Sequence, residues 1–284
     1  MKELNKNDSQ NFIKSFLKRI VRRLKYEIRV LLKLYEPESK LISDNQKYWN
    51  RDYSNPILAQ DAHWKNFGKF EDHQQWLNLG KEHLDLITTY SSALNVRFPV
   101  KQVIEWGCGG GANAIHFAPK TEKFIGIDIT TESLDECNKQ ILNIGLNNFV
   151  PLLINASSPE SVLNSRINNA DIFICTYVYE LFPSPEYGIK VLKLANELLK
   201  ENGIAFIQIR YNNGKRLRKS KKWGYFNHPY SMTTYTLEEF WEKSKVCGFE
   251  PLGIYLKPHQ PLVNDNCYAY YFLKKSKAGK SPIN

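Results

Sequence analysis

A chain of 284 residues is long enough for one large domain, or for one domain with an appendage. Apolar residues at 42% and charged residues at 24% exclude a disordered polymer, and aromatics at 13% supply both a core and a ligand pocket. The net charge of +10 is uneven: residues 12–35 carry +7, residues 215–222 carry +6, and Lys274, Lys275, Lys277 and Lys280 carry +4, leaving −7 on the rest. An acidic body with three basic patches argues against a nucleic-acid-binding surface.

In chain order, the first predicted element is a basic amphipathic helix. At about 100° per residue, Ile13, Leu17, Ile20, Leu24, Ile28, Leu31 and Tyr35 share one stripe, with Lys14, Lys18, Arg19, Arg22, Arg23, Lys25, Arg29 and Lys33 opposite. Such a helix suits an anionic membrane surface. It would serve equally by packing its stripe on its own domain or on another subunit. Glu36-Pro37 is expected to end it. Residues 38–98 read as short helices and loops, with one longer helix ending near Tyr90. From residue 99 strands and helices alternate. Strands are expected at 100–106, 123–129, 150–154, 171–177 and 203–210, and helices at 112–118, 134–144, 187–199 and 236–247. Residues 250–256 and 267–273 have no helix between them and are expected to pair antiparallel. The pattern predicts an α/β fold: a Rossmann-like, doubly wound, mostly parallel seven-stranded sheet with an antiparallel last strand and an N-terminal helical extension. The expected division is 1–37 basic helix, 38–98 helical cap or lid, 99–274 sheet domain and 275–284 basic tail.

No apolar run approaches the roughly 18 residues that span a bilayer, and no secretory signal is expected. Five scattered cysteines without CxxC pairs disfavour a disulfide framework and a structural zinc, so no metal is expected and a reducing cytoplasm is the predicted location. The inner membrane face is a further candidate, through residues 12–35.

Chemistry concentrates at Glu105-Trp106-Gly107-Cys108-Gly109-Gly110-Gly111-Ala112, between the first strand and the first helix of the sheet region. Glycines allow a tight turn and close backbone approach to a ligand, and the following helix start offers free N–H groups. Such a turn also fits a dinucleotide fingerprint. Two acids sharpen the reading: Glu105 lies two residues before the first glycine, and Asp128 ends the next strand, where a carboxylate can take both ribose hydroxyls.

This combination resembles the class I S-adenosylmethionine-dependent methyltransferases over roughly residues 99–273. By that resemblance the cofactor is S-adenosylmethionine. Gly107 and Gly109 would lie under its methionine part, with Gly111 completing the turn. Asp128 would bind the ribose, Ile129 would pack on the adenine, Asn155 and Ala156 would meet the adenine edge, and Tyr177 would border the sulfonium. Many members carry an acid where Asn155 stands. Trp49, within Tyr48-Trp49-Asn50, resembles an aromatic cover over the cofactor.

The Asn/Asp-Pro-Pro-Tyr/Phe tetrapeptide of many amino-methylating enzymes is absent after the fourth strand, where the chain reads Tyr177-Val178-Tyr179-Glu180. A hydroxyl acceptor benefits from a general base. Glu180 is the first candidate, followed by His228 and Tyr211. The basic run 215–222 with Trp223, Tyr225 and Phe226 suits an anionic, sugar-like acceptor, with Arg216, Arg218 and Lys219 as its ligands; a solvated loop is the plain alternative. The expected partner is a small-molecule or glycan acceptor methylated on oxygen, anionic or membrane-associated. The alternatives are an RNA or protein methyltransferase and a non-catalytic cofactor-binding scaffold.

Overall fold

Runs rich in isoleucine, valine and phenylalanine form parallel strands here because the chain between them returns over the sheet as helices and turns. The computed structural model describes residues 6–52, 73–214 and 219–276. By internal contacts it comprises two units, Met1–Pro37 and Glu38–Asn284.

The first unit is helix α1, Lys6–Leu31. It stops short of the expected proline boundary. Lys33 takes a left-handed φ of 50°, and the Leu34 amide bonds back to the Arg29 carbonyl at 2.9 Å. That is a local C-terminal cap, which ends a helix without help from Pro37. Leu17, Ile20, Leu24, Ile28 and Leu31 are all exposed.

The second unit opens with α2 (Glu38–Trp49), α3 (His73–Thr89) and α4 (Ser91–Leu94). The alternating region follows: β1 (Val100–Trp106), α5 (Ala114–Phe117), β2 (Thr121–Asp128), α6 (Thr131–Asn143), β3 (Phe149–Leu153), β4 (Ala170–Cys175), α7 (Pro185–Leu198) and β5 (Leu199–Arg210). It closes with α8 (Leu237–Val246), β6 (Phe249–Gln260) and β7 (Asp265–Lys275). The helix expected over 112–118 is a single turn. Gly111 sits at a φ of 97°, and Pro119 starts a 3-10 turn at Ala118–Lys120, so the α-helical geometry has no room to extend.

The sheet order is β3-β2-β1-β4-β5-β7-β6. The first five strands pair in parallel, and β7 pairs antiparallel with both β5 and β6. Successive strand residues face opposite sides, so each strand feeds two cores. Ile104, Phe173 and Ala205 pack with Val191 and Leu192 of α7 and Phe240 of α8. Val103, Ile172 and Phe206 pack with Trp76, Leu79 and Ile87 of α3, Phe117 of α5 and Ile141 of α6. The strand order reverses between β1 and β4, which opens a crevice at their carboxyl ends, the usual ligand site of such sheets.

Candidate active site

A cavity of about 750 Å³ opens at that crevice. Its floor is the turn after β1. Gly107 has a φ of 73°, and a Cβ there would stand 2.5 Å from Val178 Cγ2, so only glycine fits. The turn is tied to the end of β2 by the Gly107 and Cys108 amides, which donate to the Ile127 carbonyl at 2.7 and 3.1 Å. The Gly109 amide donates to Asp128 Oδ2 at 3.0 Å. Asp128 Oδ1 accepts from the Ile129 and Thr130 amides at 2.8 and 3.0 Å and from the Thr130 hydroxyl at 3.1 Å. Oδ2 therefore keeps acceptor capacity toward the cavity, which Asp128 lines. Burial pushes the Asp128 carboxyl up, and these hydrogen bonds, led by that from Gly109, pull it back toward ionisation.

Behind the turn lies a buried polar chain. Asn113 Nδ2 donates to Glu105 Oε1 at 2.5 Å and to the Thr176 hydroxyl at 3.0 Å. Asn113 Oδ1 lies 2.7 Å from His83 Nδ1. With its amide nitrogen committed to two acceptors, Asn113 presents its oxygen to the ring, so Nδ1 carries the proton and Nε2 a lone pair. Burial lowers the His83 pKa to about 4 and keeps the ring neutral. Burial pushes the Glu105 carboxyl up to about 8, opposed by the Asn113 bond and reinforced by the Asp128 charge. Glu105 Oε2 and His83 Nε2 are buried without hydrogen-bond partners.

Sequence reasoning singled out Glu105 but missed Asn113, Thr176 and His83. One signal was present: His83 continues the buried stripe of Trp76, Leu79 and Ile87 at helical spacing. The approach of α3 depends on Gly80, where a Cβ would lie 1.8 Å from the Ala112 carbonyl oxygen.

Trp49, Glu105, Gly107, Gly109, Asp128, Ile129, Tyr177 and Glu180 all line the cavity. Tyr177 holds a φ of 57°, unusual for a side chain of its size, and its amide donates a short hydrogen bond to Gln208 Oε1. Its ring stands in the cavity wall, 5.2 Å from that of Tyr268. Gly111, Asn155, Ala156, Tyr211 and His228 are not among the lining residues. A Cβ on Gly111 would meet Cys137 at 3.1 Å, so that glycine serves helix packing. Asn155 is exposed and bonds its own loop through Ser157, and the Ala156 amide is taken by Gln46 Oε1 at 2.7 Å. Tyr211 forms a bridge with Tyr235, and His228 joins two 3-10 turns. Lys219 is exposed; Arg216 and Arg218 lie outside the described residues.

The cavity lining also includes Glu180, Arg210, Tyr230, Asp265 and Tyr268. Glu180 is 4% exposed, deep enough to act on a bound group. Arg210 donates to Asp265 Oδ1 at 2.9 Å and to the Tyr230 carbonyl at 3.0 Å. Helix α2 roofs the site through Asn45 and Trp49, whose side chains donate to the Tyr225 hydroxyl at 2.6 and 2.9 Å.

Residues 79–251, more than half of the chain, match the family model described as a methyltransferase domain. The chain belongs to that methyltransferase family. It shares its fold with S-adenosylmethionine-dependent methyltransferases. Over 106 residues it is 27% identical to the ubiquinone biosynthesis O-methyltransferase of Actinobacillus pleuropneumoniae, covering 37% of this chain and 44% of that protein. The chain spans less than half the length of the curated relatives it matches. An S-adenosylmethionine-dependent methyltransferase of Leishmania major shares the fold with a TM-score of 0.58 at 12% identity, covering 85% of this chain and 86% of that one. PKMT2 of Rickettsia typhi, solved in complex with AdoHcy, shares it with a TM-score of 0.51 at 18% identity, covering 70% and 53%.

The residues present fit the cofactor. The cradle at Gly107 has no room for a side chain, Asp128 Oδ2 has acceptor capacity for a hydroxyl, and the orphaned Glu105 Oε2 suits a cationic group. Gly107, Gly109, Asp128, Glu105 and Ile129 would hold it. When bound, it supplies an activated methyl group on a sulfonium.

Proposed function

We propose that this methyltransferase transfers the methyl group to a hydroxyl oxygen of a small-molecule or glycan acceptor. The observation that carries the reading is Glu180: a carboxylate 4% exposed, in the wall of the cavity whose floor is the glycine turn. Glu180 would take the proton that the acceptor hydroxyl loses on methylation, while the cofactor, when bound, would supply the methyl group. Tyr177, Tyr230, Tyr268 and Trp49 offer flat apolar surface for a ring, and Arg210, held by Asp265, orients polar substituents. An in-line displacement gains most of its rate from such positioning and exclusion of water. The ubiquinone biosynthesis O-methyltransferase among the relatives supports oxygen as the accepting atom.

An anionic part of the acceptor would lie outside the cavity. The Lys221 amide donates to the Ser231 carbonyl at 3.0 Å, next to the lining residue Tyr230, so the basic segment ends beside the rim. A second reading follows from Glu180 and Asp265, two acids that line the same cavity: transfer to an amine nitrogen of a protein acceptor, which would arrive as a cation.

Radiolabelled methyl transfer into cell extract, fractionated into small-molecule, lipid-linked, RNA and protein pools, separates these readings. The proposal expects label in the first two pools, and Glu180→Gln should lower kcat about 10²–10⁴-fold with cofactor affinity unchanged. Label confined to protein on nitrogen would establish the second reading instead, and label in RNA would contradict both.

A further inference from the structure

Among the described residues, those that line the cavity run from Asn45 to Tyr268. Helix α1 belongs to a unit of its own. Its 26 residues make a rod about 39 Å long. Leu17, Ile20, Leu24, Ile28 and Leu31 fall within an arc of about 80° at 100° per residue. Their exposures are 53%, 39%, 56%, 51% and 80%. A water-facing strip of five large aliphatic side chains is costly unless something covers it.

The charge of the same helix says what covers it. Residues 12–31 hold seven lysines and arginines and one glutamate, and by helical spacing the basic positions fall on the arc opposite the stripe. Lys14, Lys25 and Arg29 are exposed. An apolar stripe alone would suit a second copy of the chain, but such a pairing would leave the basic face without a counter-charge, which an anionic surface supplies. No described helix is long and apolar enough to cross a membrane; an apolar stripe with a basic face opposite is the pattern of a helix that lies along one. We propose that α1 docks the enzyme on an anionic phospholipid surface. The aliphatic stripe sinks about 5–10 Å into the headgroup–acyl boundary, and the basic face meets lipid phosphates. The docking is independent of which acceptor the cavity takes.

The test is flotation of the full chain with vesicles of phosphatidylglycerol and phosphatidylcholine in equal parts, against vesicles of phosphatidylcholine alone. The proposal expects at least tenfold stronger partition onto the anionic vesicles. About 0.5 M salt should cut it at least tenfold, since the screening length lies between the ~10 Å of 0.1 M and the ~3 Å of 1 M. Leu17→Glu/Leu24→Glu should abolish flotation, and Lys14→Glu/Lys25→Glu should weaken it. Both variants should bind S-adenosylhomocysteine as the parent does, which verifies that the catalytic unit is folded. Absence of flotation, or equal salt-independent partition onto both vesicles, would overturn the proposal. So would a dimer in sedimentation that Leu17→Glu/Leu24→Glu dissolves while the parent ignores vesicles, since the stripe would then belong to a second copy.

Discussion

Two buried groups on either side of Asn113 have opposite pH signatures. The His83 pKa is lowered to about 4 from 6.5, so the unfolded chain binds the extra proton between those values. Its contribution to stability is complete above about pH 6.5 and is lost as pH falls toward 4. The Glu105 pKa is raised to about 8 from 4.5, so the native state holds the extra proton. Its contribution is complete below about pH 4.5 and is lost as pH rises toward 8. Thermal melts of ligand-free protein should therefore show His83→Gln flattening the acid limb and Glu105→Gln flattening the neutral limb. The same carboxyl couples to the cofactor. Asp128 is the charge facing Glu105 from β2, with the Cys108 and Cys137 thiols nearby, and none of these is cationic. A bound sulfonium and ammonium would favour the ionised carboxylate. Cofactor binding near pH 7 should then release a proton, read by calorimetry in buffers of different ionisation enthalpy, and Glu105→Gln should abolish that release. Residues such as Glu105, Gly107 and Asp128 were legible in sequence because strand, turn and acid are local and in register. His83 and Asn113 lie 30 positions apart and meet only after α3 packs on the glycine turn, so no window contains the pair.

At the scale of elements, the strands were legible because each is a run of apolar residues bounded by turns. The helix after β1 was misread in length because its stop comes from Pro119 and a 3-10 turn, and the end of α1 from a left-handed Lys33 that has no sequence signature. Helix α2 is the least legible element that matters. Gln46 bridges the ends of two strands, donating to the Ile129 carbonyl at 3.0 Å and accepting from the Ala156 amide at 2.7 Å. Asn50 adds a bond to the Ile129 carbonyl at 3.1 Å. Polarity alone could not announce these long-range clamps. They hold the roof formed by Asn45 and Trp49, so Gln46→Ala should loosen it. The expected result is several-fold faster dissociation of S-adenosylhomocysteine in stopped-flow measurements, with the melting temperature lowered by the loss of about two hydrogen bonds, each worth ~1 kcal/mol. Unchanged dissociation would show that the roof does not gate the cavity.

For the whole molecule, the division of labour is by surface and depth. An acidic body encloses the cavity, where a cationic cofactor is at home, while the excess positive charge sits in residues 12–35, in residues 215–222 and at the end of β7 and beyond it. Among the described residues no cluster of three histidine, cysteine or acidic side chains is placed to hold a metal ion. The central claim is that the cofactor lies across the glycine turn with its ribose on Asp128. Calorimetric titration of the full chain with S-adenosylhomocysteine, wild type against Asp128→Ala, tests it most directly. Removing a carboxylate that would accept a charge-assisted hydrogen bond, worth ~1.5–3 kcal/mol, predicts one-to-one binding weakened about 10–100-fold in the variant. Full affinity in Asp128→Ala, or no binding by the wild type, would contradict the account.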